Sequence, residues 1–207
     1  DEMIKLARKH NFEIEIVESD IDKNLQKLDQ QREIARSRGL DGWYSDYKTW
    51  PEVNKKLTTL SNNHPNIAST FIVGTSHEGR EILGIKITAP GDASGRPSVL
   101  FNGCQHAREW VAVMVPVYVA EHLIDGWNDD LETQSLLEST QVIIVPIVNP
   151  DGYEYTYASG GDRFWRKNRN TNNGSCMGVD LNRNWDIDWN GDDSTSTNTC
   201  SDVYVGE

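Results

Sequence analysis

Polar and apolar residues alternate from Asn11 to Val17, with Phe12, Ile14 and Ile16 on one side and Glu13 and Glu15 on the other, which predicts a short strand. Ser19 or Asp20 then caps a predicted helix whose Ile21, Leu25, Leu28 and Ile34 fall near helical spacing before Gly39. Thr49-Trp50-Pro51-Glu52 reads as a capping box opening a second helix, with Val53, Leu57 and Leu60 inward and a stop before His64-Pro65. Ile67 to Val73 and Glu81 to Thr88 predict a strand pair about the Gly74 to Gly79 turn, and Ser98 to Phe101 predicts a further short strand.

The apolar segment Val111 to Ile124 is too long for an average strand and predicts a buried helix despite Pro116. A helix around Leu131 to Leu137 leads into Gln141 to Val148, whose unbroken apolar run predicts a fully buried strand. Asn149-Pro150-Asp151-Gly152 reads as a turn, and from Tyr155 onward the chain is polar and irregular. Strands alternating with helices predict an α/β fold with a mixed central sheet sandwiched by helices.

Composition narrows the class. The formal net charge of −12 argues against a nucleic-acid partner, which needs a concentrated positive surface. No apolar run is long enough to span a membrane. The local basic cluster from Arg163 to Arg169 is the exception to the acidic balance, and reads either as a solvated loop or as an anion site. The three cysteines, Cys104, Cys176 and Cys200, do not by themselves establish a disulfide framework.

The stretch Gly103 to Trp110 joins a predicted strand to a predicted helix, a place where loops commonly carry chemistry. His106 and Glu109 stand three positions apart, so one backbone turn can aim an imidazole nitrogen and a carboxylate oxygen at one point, and both suit zinc. Taken alone, the pair is better read as a polar loop histidine and an acidic residue favouring a helix N-terminus. The neighbours favour the metal. His106-Ala107-Arg108-Glu109-Trp110 resembles the metal motif of the carboxypeptidase A/B branch of the zinc metallocarboxypeptidases. The resemblance extends through Gly74 to Arg80, Asn149 to Tyr153, Arg163 to Lys167 and Asp180 to Asp186, five blocks in family order.

That resemblance implies a role for each matching residue. His106 and Glu109 match two of three protein ligands of Zn²⁺, and Asp180 matches the carboxylate that orients the histidine ligand. Asn182 and Arg183 match the residues that bind the substrate's terminal carboxylate, a task suited to a planar guanidinium. Read without the family, Arg183 is a surface ion-pair residue. Arg166 matches the arginine that stabilises the oxyanion, and Arg108 one that contacts substrate further from its C-terminus. Cys176 and Cys200 match a disulfide of secreted members, implying an extracellular, oxidising location, with Cys104 left as a buried apolar residue. Trp110, Trp165 and Trp185 are expected in the core.

Residues 1–39 resemble the end of an activation domain and its connecting helix, and 40–207 the N-terminal part of the catalytic domain. Arg36 and Arg38 would suit an activating trypsin-like protease, or simply complement the helix dipole. In the family the third ligand histidine, a substrate-covering tyrosine and a general-base glutamate follow later than Glu207, so the chain is expected to be an incomplete, zymogen-like piece. His10, His64, His77 and His122 lie in segments that do not match the third ligand. The expected function is zinc-dependent removal of C-terminal residues from peptides and proteins; the alternative is a non-catalytic module that binds peptide C-termini.

Overall fold

The computed structural model describes residues 2–15, 20–38, 42–171, 176–187, 189–191 and 194–206. The chain divides into two compact units, Asp1–Asp46 and Tyr47–Glu207. The expected boundary at residues 39 and 40 falls outside the described residues.

The first unit holds helices α1 (Glu2–Lys9) and α2 (Ile21–Ser37). Asp20 caps α2 as expected, its carboxylate accepting from the Lys23 N–H at 3.0 Å. The predicted strand over Asn11 to Val17 is not found: Asn11 turns the chain in the left-handed region, residues 12–15 take no regular form, and 16 and 17 lie outside the described residues. An alternating segment forms a strand only where a partner takes its backbone hydrogen bonds. Leu6, Phe12, Ile21, Leu28 and Ile34 are exposed, and Leu25 of α2 is half-buried.

The second unit opens with α3 (Trp50–Asn63), where Glu52 accepts from the Thr49 N–H at 2.8 Å, closing the predicted capping box. It continues through β1 (Ala68–Thr75), β2 (Glu81–Ile87), β3 (Ser98–Asn102), α4 (Val111–Gly126), α5 (Leu131–Ser139), β4 (Gln141–Val145) and α6 (Pro150–Tyr157). The strands form one mixed sheet in the order β1-β2-β4-β3, antiparallel except for the parallel β3–β4 pair. Phe71 lies opposite Gly84 across β1 and β2, its ring filling the space a side chain there would take.

Val53 and Leu57 of α3, Ile85 and Ile87 of β2, Val113, Val117 and Ile124 of α4, Leu137 of α5 and Ile144 of β4 are fully buried and make the core. Each such side chain contributes about 1.5–3 kcal/mol by leaving water. The strand predicted from Gln141 is the inner strand β4, with Val142, Ile144 and Val145 buried, while β1 and β3 are the edges and Val99, Leu100 and Phe101 of β3 are 44%, 58% and 44% exposed. Two expectations change here. The predicted turn at Asn149 to Gly152 is the start of α6, because Asn149 accepts from the Gly152 N–H at 3.0 Å and Pro150 suits a first helical position. Trp185 is half exposed, whereas Trp110 is in the core. Among the described residues, no helix is long and apolar enough to cross a membrane.

Candidate active site

β3 delivers the chain to Gly103, whose N–H donates to Val145 O at 3.0 Å and whose carbonyl accepts from Val148 N at 3.1 Å. A Cβ at Gly103 would lie 2.2 Å from Ala112 O, so this close crossing of strand and helix needs glycine. Cys104 then takes the left-handed conformation, φ 59°, and is completely buried; burial pushes its thiol well above the ordinary range. The reversal sets His106 at the base of α4.

His106 Nε2 lies 3.1 Å from Asp180 Oδ1, and Nδ1 lies 2.9 Å from Glu109 Oε1. Asp180 is fully buried and accepts three further hydrogen bonds, from Asn182 N at 2.9 Å and from Arg166 Nε and Nη2 at 3.0 and 2.8 Å. Burial opposes its ionisation, but the bonds from His106, Arg166 and Asn182 outweigh that and hold its carboxyl below the ordinary carboxylate value. Asp180 Oδ1 is placed to accept a hydrogen bond from Nε2–H, and in that tautomer the Nδ1 lone pair faces the Glu109 carboxylate. Two lone-pair donors aimed at one point call for a cation between them, and nitrogen with oxygen fits zinc. Among the described residues, no third His, Cys, Asp or Glu completes a cluster with them.

Two segments frame the pair. Arg166 O accepts from Ala107 N at 3.0 Å, and Arg163 donates to Arg108 O at 3.0 Å while its guanidinium stacks 3.5 Å from the Trp110 ring. Asn182 and Arg183 follow Asp180 on the far side. Arg183 donates Nε to Ser194 O and Nη1 to Asn182 O, and Asn182 Oδ1 accepts from Trp185 Nε1 at 3.2 Å. Asn182, Arg183, Trp185 and Trp189 line an open cavity of about 280 Å³. The Cys176–Cys200 disulfide forms, and Cys104 is the free cysteine.

Of the residues singled out in the sequence, the structure brings His106, Glu109, Asp180 and Arg166 into one hydrogen-bonded group, with Asn182 tied in through its backbone. Arg108 stands apart, donating to Phe164 O at 3.1 Å and Asp202 at 3.2 Å. The sequence reading missed Asn149. Its buried carboxamide donates to Gln105 O at 3.0 Å and Lys167 O at 3.1 Å, tying the His106 loop to the arginine-bearing segment. The Asn-Pro pair was its signal, as a helix cap rather than a turn. Asp151 was missed likewise: it accepts from Ser76 Oγ at 2.7 Å, Glu78 N at 2.9 Å and Arg80 Nη1 at 2.7 Å, pinning the β1–β2 turn to α6.

Residues 53–207 match the zinc carboxypeptidase family across three quarters of the chain. The chain belongs to the zinc carboxypeptidase family. Its relatives include a metallocarboxypeptidase A-like protein of Trichophyton verrucosum, 40% identical over 80% of this chain and 38% of that protein. Zinc carboxypeptidase A 1 of Anopheles gambiae is 34% identical over 90% of this chain and 42% of its own length. Among solved structures, carboxypeptidase A from Helicoverpa armigera superposes with a TM-score of 0.82 at 31% identity, covering 98% of this chain and 50% of that one. The chain thus spans about two fifths of the length of the curated relatives it matches. Membership agrees with the mixed sheet and with the stretch His106 to Trp110 at the β3–α4 junction.

Proposed function

We propose that the intact protein is a zinc-dependent carboxypeptidase that hydrolyses C-terminal residues from peptides and proteins. One observation carries the reading: His106 Nδ1 and Glu109 Oε1 converge at 2.9 Å while Asp180 holds the opposite ring nitrogen. His106 and Glu109 are the residues of this chain that would hold zinc. Bound there, zinc supplies a Lewis acid that polarises a carbonyl and makes water more acidic.

The chain's own residues do the rest of what it contributes. Asp180, held against Nε2, orients the His106 ring so that Nδ1 is the nitrogen turned toward the metal position. Among the described residues, Arg183 Nη2 and Asn182 Nδ2 have no protein acceptor, which leaves them to receive a peptide's terminal carboxylate. Arg166 commits Nε and Nη2 to Asp180 and keeps Nη1 for the oxyanion that forms as the peptide carbonyl becomes tetrahedral. Arg108 serves substrate further from the terminus.

The disulfide supports a secreted protein, since such bonds persist in oxidising compartments. Residues 1–39 are read as the end of an activation segment and 40–207 as part of the catalytic domain. A trypsin-like protease would separate them at Arg36 or Arg38; Arg38 is exposed just past α2, and the Arg36 side chain lies outside the described residues. A non-catalytic module that binds peptide C-termini through Asn182 and Arg183 is the second reading.

The test is release of C-terminal amino acids from N-blocked peptides by the intact protein, before and after brief trypsin treatment, with and without chelator. Chelator-sensitive release, falling about 10²–10³-fold in turnover for Arg166→Ala, is expected. Tight binding without release from any C-terminal residue would favour the second reading.

A further inference from the structure

Asp202 lies on a segment pinned on both sides. Upstream, Cys200 is tied to Cys176 and Thr199 O accepts from the buried Lys167 Nζ at 2.7 Å. Downstream, Tyr204 O accepts from Asp180 N at 2.9 Å, and Ser196 pairs with Tyr204 in a short bridge. Val203 N donates to Ser201 Oγ at 3.2 Å across Asp202 itself. The carboxylate is therefore held on the same backbone that supports Asp180.

From this position Asp202 Oδ2 lies 3.2 Å from Arg108 Nη1, which also donates to Phe164 O at 3.1 Å. The two acceptors occupy one terminal nitrogen. Among the described residues, Arg108 Nε and Nη2 have no protein acceptor, although the backbone of Arg108 is clamped by Arg163. Side-chain exposure is 34% for Arg108 and 65% for Asp202. Ion pairs this exposed add little to the stability of a fold. What the pair does fix is the rotation of a planar guanidinium, whose donors lie in a rigid fork.

We infer that Asp202 is a positioning residue for Arg108: it holds the guanidinium so that its unoccupied Nε–H and Nη2–H edge stays in one orientation for the backbone carbonyls of a peptide upstream of the cleaved bond. The inference rests on the proposed peptide-binding role of the site. Asp202 sets how strongly a peptide long enough to reach Arg108 is held relative to a dipeptide.

The experiment uses the intact protein, its Asp202→Ala and Asp202→Asn variants, and two labelled probes with free C-termini, a dipeptide and a hexapeptide of the same terminal sequence. Fluorescence polarisation gives each Kd, and cleavage gives kcat and KM. For Asp202→Ala the binding preference for hexapeptide over dipeptide falls about 3–10-fold, the change in cleavage appearing in KM rather than kcat. Asp202→Asn, which keeps an acceptor but loses the charge, falls between. A merely structural role would weaken both probes alike and leave the ratio unchanged; that result, or an unchanged ratio with both probes bound normally, overturns the inference. Binding without cleavage by the unmodified protein counts against the peptidase reading alone, because the Kd ratio still decides on Asp202. Failure of the unmodified protein to bind either probe overturns both.

Discussion

His106 Nε2 and Asp180 Oδ1 stand 3.1 Å apart, joining residues 74 positions apart in the chain. In the proposed zinc site this bond would select which imidazole nitrogen is left to ligate. Asp180→Asn keeps the shape but weakens the charge that selects the tautomer, so the intact protein should lose about 10–100-fold in zinc affinity. Competition against a chromophoric chelator measures this; an unchanged affinity would remove Asp180 from the site.

Gly103 is where β3 and α4 cross most tightly. Gly103→Ala places a methyl 2.2 Å from Ala112 O and 3.0 Å from Pro146 O, both backbone atoms that cannot rotate away. A loss of about 1–3 kcal/mol is expected in denaturant unfolding, together with weaker zinc binding as the His106 loop shifts. Full stability in the variant would show that the crossing can relax.

Ile144 sits fully buried in the inner strand β4, paired to Ile85 of β2 and Phe101 of β3. Ile144→Ala should cost about 2–5 kcal/mol, by lost transfer energy and the cavity left behind. The half-buried neighbour Ile143, substituted the same way, should cost clearly less. Equal losses at both positions would contradict the assigned sheet order.

Asp130 caps α5, accepting from the Thr133 hydroxyl and N–H and from the Glu132 N–H, and these bonds hold its carboxyl below the ordinary value. A depressed carboxyl stabilises the fold above its unfolded-state pKa and loses that contribution as pH falls through the folded-state value. Asp130→Ala should therefore lower Tm at neutral pH. The gap from the unmodified protein should shrink below about pH 4, where carboxyls begin to protonate. A gap that stays constant down to pH 2 would mean that ionisation of Asp130 plays no part.

Much of this was legible in the residues because it is local. Thr49 and Glu52 close a capping box within one helical turn, and the apolar spacing of Val53, Leu57 and Leu60 already names a buried face. His106 and Glu109 meet because three positions along a backbone turn bring them together, whatever lies elsewhere. The pairing of β1 with β2 needs only a short turn between matched runs. These features depend on separations of a few residues, which sequence periodicity encodes directly.

Tertiary structure decided what depends on distant partners. Alternation at Phe12 and Ile14 signals a strand, yet the segment forms none over residues 12–15, because pairing requires another strand and not a pattern alone. The run from Gln141 fixes burial but not neighbours; only the assembled sheet makes β4 an inner strand and leaves β3 at the edge. Asn149 reads as a turn residue until Gln105 O and Lys167 O come within reach of its amide. Asp202 gives no signal at all before the chain brings it to Arg108, 94 positions earlier. The sequence by itself determined the local elements and the meeting of His106 with Glu109, since short-range sterics and hydrogen bonding set them. The contacts of Asp180 with His106 and of Asp202 with Arg108 were made only when packing brought far-separated backbone segments side by side.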